Sequence, residues 1–106
     1  MIRNILVLRS GGESMYIVLI YDINIDENGA KASRNIFKIC KKYLTHVQKS
    51  VFEGDLSPAL LQKLKHEISR YIRKDMDSVI VFKSRDERWM QKEFWGQLDD
   101  KTSNFF

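Results

Sequence analysis

The sequence predicts an α+β domain built as an antiparallel sheet with two helices on one face. Three observations lead there. "YIVLIY", Tyr16 to Tyr21, is a near-continuous apolar run of strand length. Two segments, Ala30–Leu44 and Ser57 to about Lys74, carry apolar residues at helical spacing. After each comes a stretch rich in β-branched and aromatic residues. With 106 residues the chain makes one domain, large enough for a substantial core.

Taken in order, residues 1–14, "MIRNILVLRSGGES", stand apart: "SGGES" is linker-like, and the segment reads as an N-terminal extension or cloning remnant. The domain is expected over 15–106. Met15 to Ile23 is the first strand, covered on both faces and therefore central. "NIDENG" is a loop with Asn28-Gly29 as its turn signal. The first helix, Ala30–Leu44, buries Ala32, Ile36, Ile39, Cys40 and Tyr43 and turns its lysines and Arg34 outward.

"HVQKSVF", His46 to Phe52, alternates as a strand, and "EGDL" then bends the chain, giving a second short strand. Ser57-Pro58 is a helix start, with Ser57 as N-cap and Pro58 at the first helical position. That helix runs to about Lys74, burying Leu61, Leu64, Ile68 and Ile72. "KDMDS" turns into the strand Val79 to Lys83. In the tail, about 85–106, "ERWMQKEFWG" alternates well enough for an appended strand, and "NFF" needs a docking place. The resulting order, βαββαβ, is the ferredoxin-like plan. Its second sheet face is open, and a homodimer is the natural way to cover it.

Composition narrows the function classes. An apolar content of 43% with 30% charged residues excludes disorder, and no apolar stretch approaches the ~20 residues of a membrane span. The lone Cys40 excludes an intrachain disulfide framework and fits a reducing, cytoplasmic setting. Net charge is +4 with a pI near 9.3. Lys31, Arg34, Lys38, Lys41, Lys42 and Lys49 follow one another with no acid between them, which points to a polyanionic partner. Solvated helix faces are also often Lys-rich.

Chemical motifs are few. No Gly-rich phosphate loop, His-Glu metal helix or nucleophile elbow is present. His46 and His66 are isolated, and "SVFEGD" has only one aromatic where an RNA-stacking motif interleaves several. Asp22 is the best candidate: a carboxylate at the mouth of a buried strand needs a cation, a metal or backbone donors. Capping "NIDENG" through backbone amides and binding a metal both satisfy that need.

"YIVLIYDI", "VQKSVFEGDL" after a basic helix, and "DSVIVFK" after a second helix occur together in order. On these segments the chain from Met15 onward resembles the CRISPR-associated protein 2 family, the small subunit of the spacer-acquisition machinery. The resemblance implies a ferredoxin-like homodimer of the prokaryotic cytoplasm whose C-terminal strand pairs with its mate. It implies that Asp22 is a Mg²⁺ ligand facing its copy, and that Tyr21, Ser50 and Phe52 lie near a cleavage cleft. Lys31 and Arg34 match residues expected to meet phosphate, with Lys38, Lys41, Lys42, Arg85 and Arg88 extending the basic surface. It further implies a Mg²⁺-dependent endonuclease acting on RNA or double-stranded DNA, and a dimer that binds duplex DNA and bridges integrase dimers. The alternative is a non-catalytic regulatory or RNA-binding dimer of the same fold. Two features depart from the family: Asp26 and Glu27 make the loop after Asp22 acidic where many members are basic, and His46 stands where Arg is frequent.

Overall fold

The computed structural model describes residues 14–96. Along the chain these form β1 (Met15–Asp22), α1 (Gly29–Tyr43), β2 (Thr45–Gln48), β3 (Val51–Leu56), α2 (Pro58–Ser69) and β4 (Ser78–Ser84). A 3-10 turn follows at Glu87–Trp89. The sheet order is β2-β3-β1-β4, every pairing antiparallel, so the apolar β1 is central as its composition predicts. This is the ferredoxin-like arrangement.

Alternation along β1 sends Ile17, Leu19 and Tyr21 to the helix-covered face. There they meet Phe52 and Leu56 of β3, Ile36, Ile39 and Cys40 of α1, and Leu64 and Ile68 of α2. Phe52, opposite Leu19 in the ladder, is completely enclosed, with Phe37 edge-on at 5.4 Å and His46 at 4.9 Å. On the other face, Val18 pairs with Phe82 and Ile20 with Ile80, and both β4 side chains keep 51% of their surface exposed.

The helix start at Ser57-Pro58 forms as read: Ser57 Oγ accepts the Leu60 amide at 3.2 Å. Three other readings are corrected. "HVQKSVF" is not one strand; it turns back at Lys49-Ser50, and "EGDL" continues β3 rather than bending. Lys49 sits in the left-handed region at φ 47°, and the ring of His46 bonds to its carbonyl at 2.7 Å through Nε2. Such a turn in a non-glycine residue leaves no mark in an alternating pattern.

The second helix stops at Ser69, not near Lys74. The chain tightens there, with the Tyr71 amide donating to the Ile68 carbonyl at 2.9 Å, while Ile72 still packs on the core. The apolar period thus outlasts the helix. "ERWMQKEFWG" gives the 3-10 turn and then, over 90–96, no strand within the chain. That segment runs along the open sheet face, where Lys92 Nζ meets Glu53 Oε2 at 2.6 Å and the Tyr16 hydroxyl donates to Glu53 Oε1 at 2.5 Å. The extension expected over 1–14, apart from Ser14, and the "NFF" end lie outside the described residues.

Candidate metal and nucleic-acid site

Asp22 is the last residue of β1 and pairs with Ser78, the first of β4. Its side chain is exposed and makes no hydrogen bond or ion pair among the described residues. It opens on a cavity of about 360 Å³ that also borders Ser33, Ser50, Asp26 and the start of α1 at Gly29 and Ala30. Ser50 is brought there by the β2–β3 turn, whose carbonyl at Ser50 accepts the Tyr21 amide at 3.2 Å.

Loop capping, one of the two explanations for an acid at Asp22, is done by Asp26 instead. Asp26 Oδ1 accepts the amides of Asn28 at 3.0 Å and Gly29 at 2.8 Å, covering the α1 terminus. Both Asp26 oxygens also receive Arg73 Nη1, at 2.6 and 2.8 Å. Arg73 Nε and Nη2 grip Asp77 at 2.9 and 3.0 Å, and Nη2 reaches the Asn24 carbonyl at 2.9 Å. Asp77, its side chain fully enclosed, in turn accepts the Asn24 amide at 2.8 Å. The Arg73 guanidinium holds both carboxyls below the usual range.

Arg73 and Asp77 carry no motif that marks them in the sequence. Their i,i+4 spacing is a signal, masked because "KDMDS" reads as an ordinary turn. The acidity of the loop after Asp22 is correspondingly less than its composition indicates, since one of its two acids is neutralised.

The remaining site residues separate by burial. Tyr21 is buried, its ring 6.1 Å from Phe52, and burial pushes its hydroxyl up in pKa against a smaller opposing effect from Ser33. Phe52 lies wholly in the core, so its role is packing. Lys31, Arg34, Lys38, Lys41 and Lys42 all lie on α1, and all five are exposed. Lys42 is committed to Glu67 at 2.6 Å, and Lys41 lies over the Phe37 ring. Arg88 is held by Asp86 at 2.6 Å, while Arg85 follows the end of β4.

Among the described residues no three His, Cys, Asp or Glu side chains cluster as a metal cage. One free carboxylate per chain, beside hydroxyls and an open cavity, fits a Mg²⁺ ion that keeps most of its waters and does not fit a dehydrated ion. Nor is any helix among the described residues long and apolar enough to cross a membrane.

The fold and the site together define a small ferredoxin-like α+β protein with an unpaired acid at the end of its central strand, beside a basic helix. The chain belongs to the family described as CRISPR associated protein Cas2, whose model matches residues 15–92. It is 57% identical over 103 residues to the CRISPR-associated endoribonuclease Cas2 of Fusobacterium nucleatum subsp. nucleatum, covering 97% of each chain. It is 41% identical over 90 residues to the CRISPR-associated endoribonuclease Cas2 2 of Moorella thermoacetica, covering 84% of this chain and 99% of that one. Among solved structures, Streptococcus pyogenes Cas2 at pH 6.5 aligns with a TM-score of 0.68 at 30% identity, over 76% of this chain and 99% of the other. A further crystal structure of Cas2 aligns at 0.71 and 30% identity, over 83% of this chain and 93% of that one.

Proposed function

We propose that the chain is a spacer-acquisition subunit working as a homodimer, which holds double-stranded DNA on the basic surface of α1 and bridges integrase dimers. The observation that carries the DNA-binding reading is the state of that helix. It has no acidic residue, and Lys31, Arg34 and Lys38 make no ion pair among the described residues, so their charge is available to phosphate. The apolar face of Val18, Ile20, Ile80 and Phe82 is the natural place for the second copy, with residues 90–96 positioned to exchange between partners. The integrase partner and the cytoplasmic setting rest on family membership.

A second reading is favoured by the free carboxylate of Asp22 and by relatives called endoribonucleases: Mg²⁺-dependent hydrolysis of RNA or duplex DNA at the dimer cleft. Asp22 from each copy would hold the ion, with Ser50 and Ser33 lining the approach and Tyr21 and Phe52 fixing the strand end from within. A hydrated Mg²⁺ there supplies Lewis-acid chemistry at a phosphodiester.

One panel separates the two. RNA and duplex DNA are offered to parent and Asp22→Asn with and without Mg²⁺, alongside duplex-binding measurements. The architectural reading expects equal DNA binding by both proteins. The catalytic reading expects Mg²⁺-dependent cleavage by the parent and none by Asp22→Asn. Equal cleavage by both preparations would identify a contaminant and remove the nuclease reading.

A further inference from the structure

Asp22 and Asp26 border the same cavity, yet only one presents a free carboxylate. Both oxygens of Asp26 are occupied by Arg73 Nη1, and Oδ1 carries two backbone amides as well. Arg73 is itself anchored from behind. Asp77, which has no exposed side-chain surface, takes Arg73 through Nε, Nη2 and the backbone amide, and simultaneously fixes the Asn24 amide two residues beyond Asp22. The loop is also sterically committed: a Cβ on Gly29 would lie 2.1 Å from the Asn24 carbonyl oxygen.

We propose that Arg73 is a specificity-determining residue of this site, withholding Asp26 from the cavity so that each chain offers a single carboxylate to a cation. The proposal rests on the reading of Asp22 as a metal ligand. A second available carboxylate in the same cavity would strengthen binding of a divalent cation and would repel an incoming phosphate. With Asp26 bound to Arg73, the cation stays hydrated and exchangeable, and the phosphate meets one negative charge per chain instead of two. Arg73 touches neither cation nor substrate; it acts through Asp26.

The test is Mn²⁺ binding to the full chain, read by water-proton relaxation, with folding checked by circular dichroism. Asp26→Asn keeps an oxygen for the Asn28 and Gly29 amides and is expected to bind Mn²⁺ as the parent does. Arg73→Gln is expected to bind several-fold more tightly, and Arg73→Gln combined with Asp26→Asn to return to the parent value. A merely structural Arg73 would give weaker binding that the second substitution does not correct. Loss of binding in Asp26→Asn would overturn the proposal without disturbing Arg73, so a poorly folded Arg73→Gln does not protect it. Folded Arg73→Gln binding no more tightly than the parent would overturn it as well. Asp22→Asn separates the two levels. If that variant binds Mn²⁺ normally, the reading of Asp22 fails; if it loses binding while Arg73→Gln shows no gain, only the role of Arg73 fails.

Discussion

At the scale of single residues, the same carboxylate chemistry has opposite outcomes within a few positions. Asp22 ends a strand and is left to solvent, whereas Asp26 and Asp77 converge on one guanidinium. Because their folded pKa values lie below the ordinary 3.8, the unfolded chain binds protons more readily than the folded one in acid. The stabilisation is therefore complete above about pH 4 and is lost as pH falls through the depressed values. Urea midpoints measured from pH 6 down to pH 2 should fall more steeply for the parent than for Asp77→Asn, which has already lost one of these groups. Parallel curves would show that the network does not contribute. Cys40 behaves in the opposite sense: burial pushes its thiol up to about 12. It should not react with a thiol reagent at pH 8 until the chain unfolds, and rapid labelling of the native protein would contradict its enclosure in the core.

At the scale of elements, the β2–β3 hairpin shows where local rules conflict. Lys49 adopts a left-handed conformation that costs a residue with a Cβ roughly 1 kcal/mol. Lys49→Gly removes that strain while adding unfolded-state entropy, and should leave stability within about 1 kcal/mol of the parent. Phe52→Ala, three residues on, empties the centre of the core and should cost about 3–5 kcal/mol. Denaturant midpoints compare the two directly; similar losses would mean that the turn, not the packing, sets the hairpin's stability. The contrast also explains what the sequence could convey. Burial patterns along β1 and α1 are periodic and local, so central strand, basic helix and sheet plan were all readable, as was the Ser57-Pro58 cap. A left-handed turn at Lys49, a helix that ends while its apolar period continues through Ile72, and a clamp joining Asp26 to Arg73 depend on tertiary geometry. Asp22 was legible as a residue needing explanation. That Asp26 would take over the capping of α1 was not, because it requires a guanidinium 47 positions away in sequence.

For the whole molecule, the net charge of +4 understates how unevenly the charge is available. Lys31, Arg34 and Lys38 have no ion-pair partner among the described residues, while Lys42 is neutralised by Glu67 and Arg88 by Asp86. Tyr43 also bonds Glu67, fixing that carboxylate against α1 and keeping Lys42 occupied. A duplex lying along the helix should therefore be held by the unpaired residues, through interactions that read phosphate and not base sequence. For duplex DNA, removing one phosphate-binding cation lowers the slope of log K against log salt by about 0.9. Lys31→Gln with Arg34→Gln should lower the slope by nearly two per chain and weaken all duplex sequences alike. Lys42→Gln with Arg88→Gln removes the same formal charge and should change the slope far less, because a cation already paired to a carboxylate must give up that partner before meeting phosphate. Equal slopes for the two double variants would mean that binding follows net charge alone. In that case the one-signed face of α1 would not be the duplex-binding surface, and the architectural reading would lose its main support.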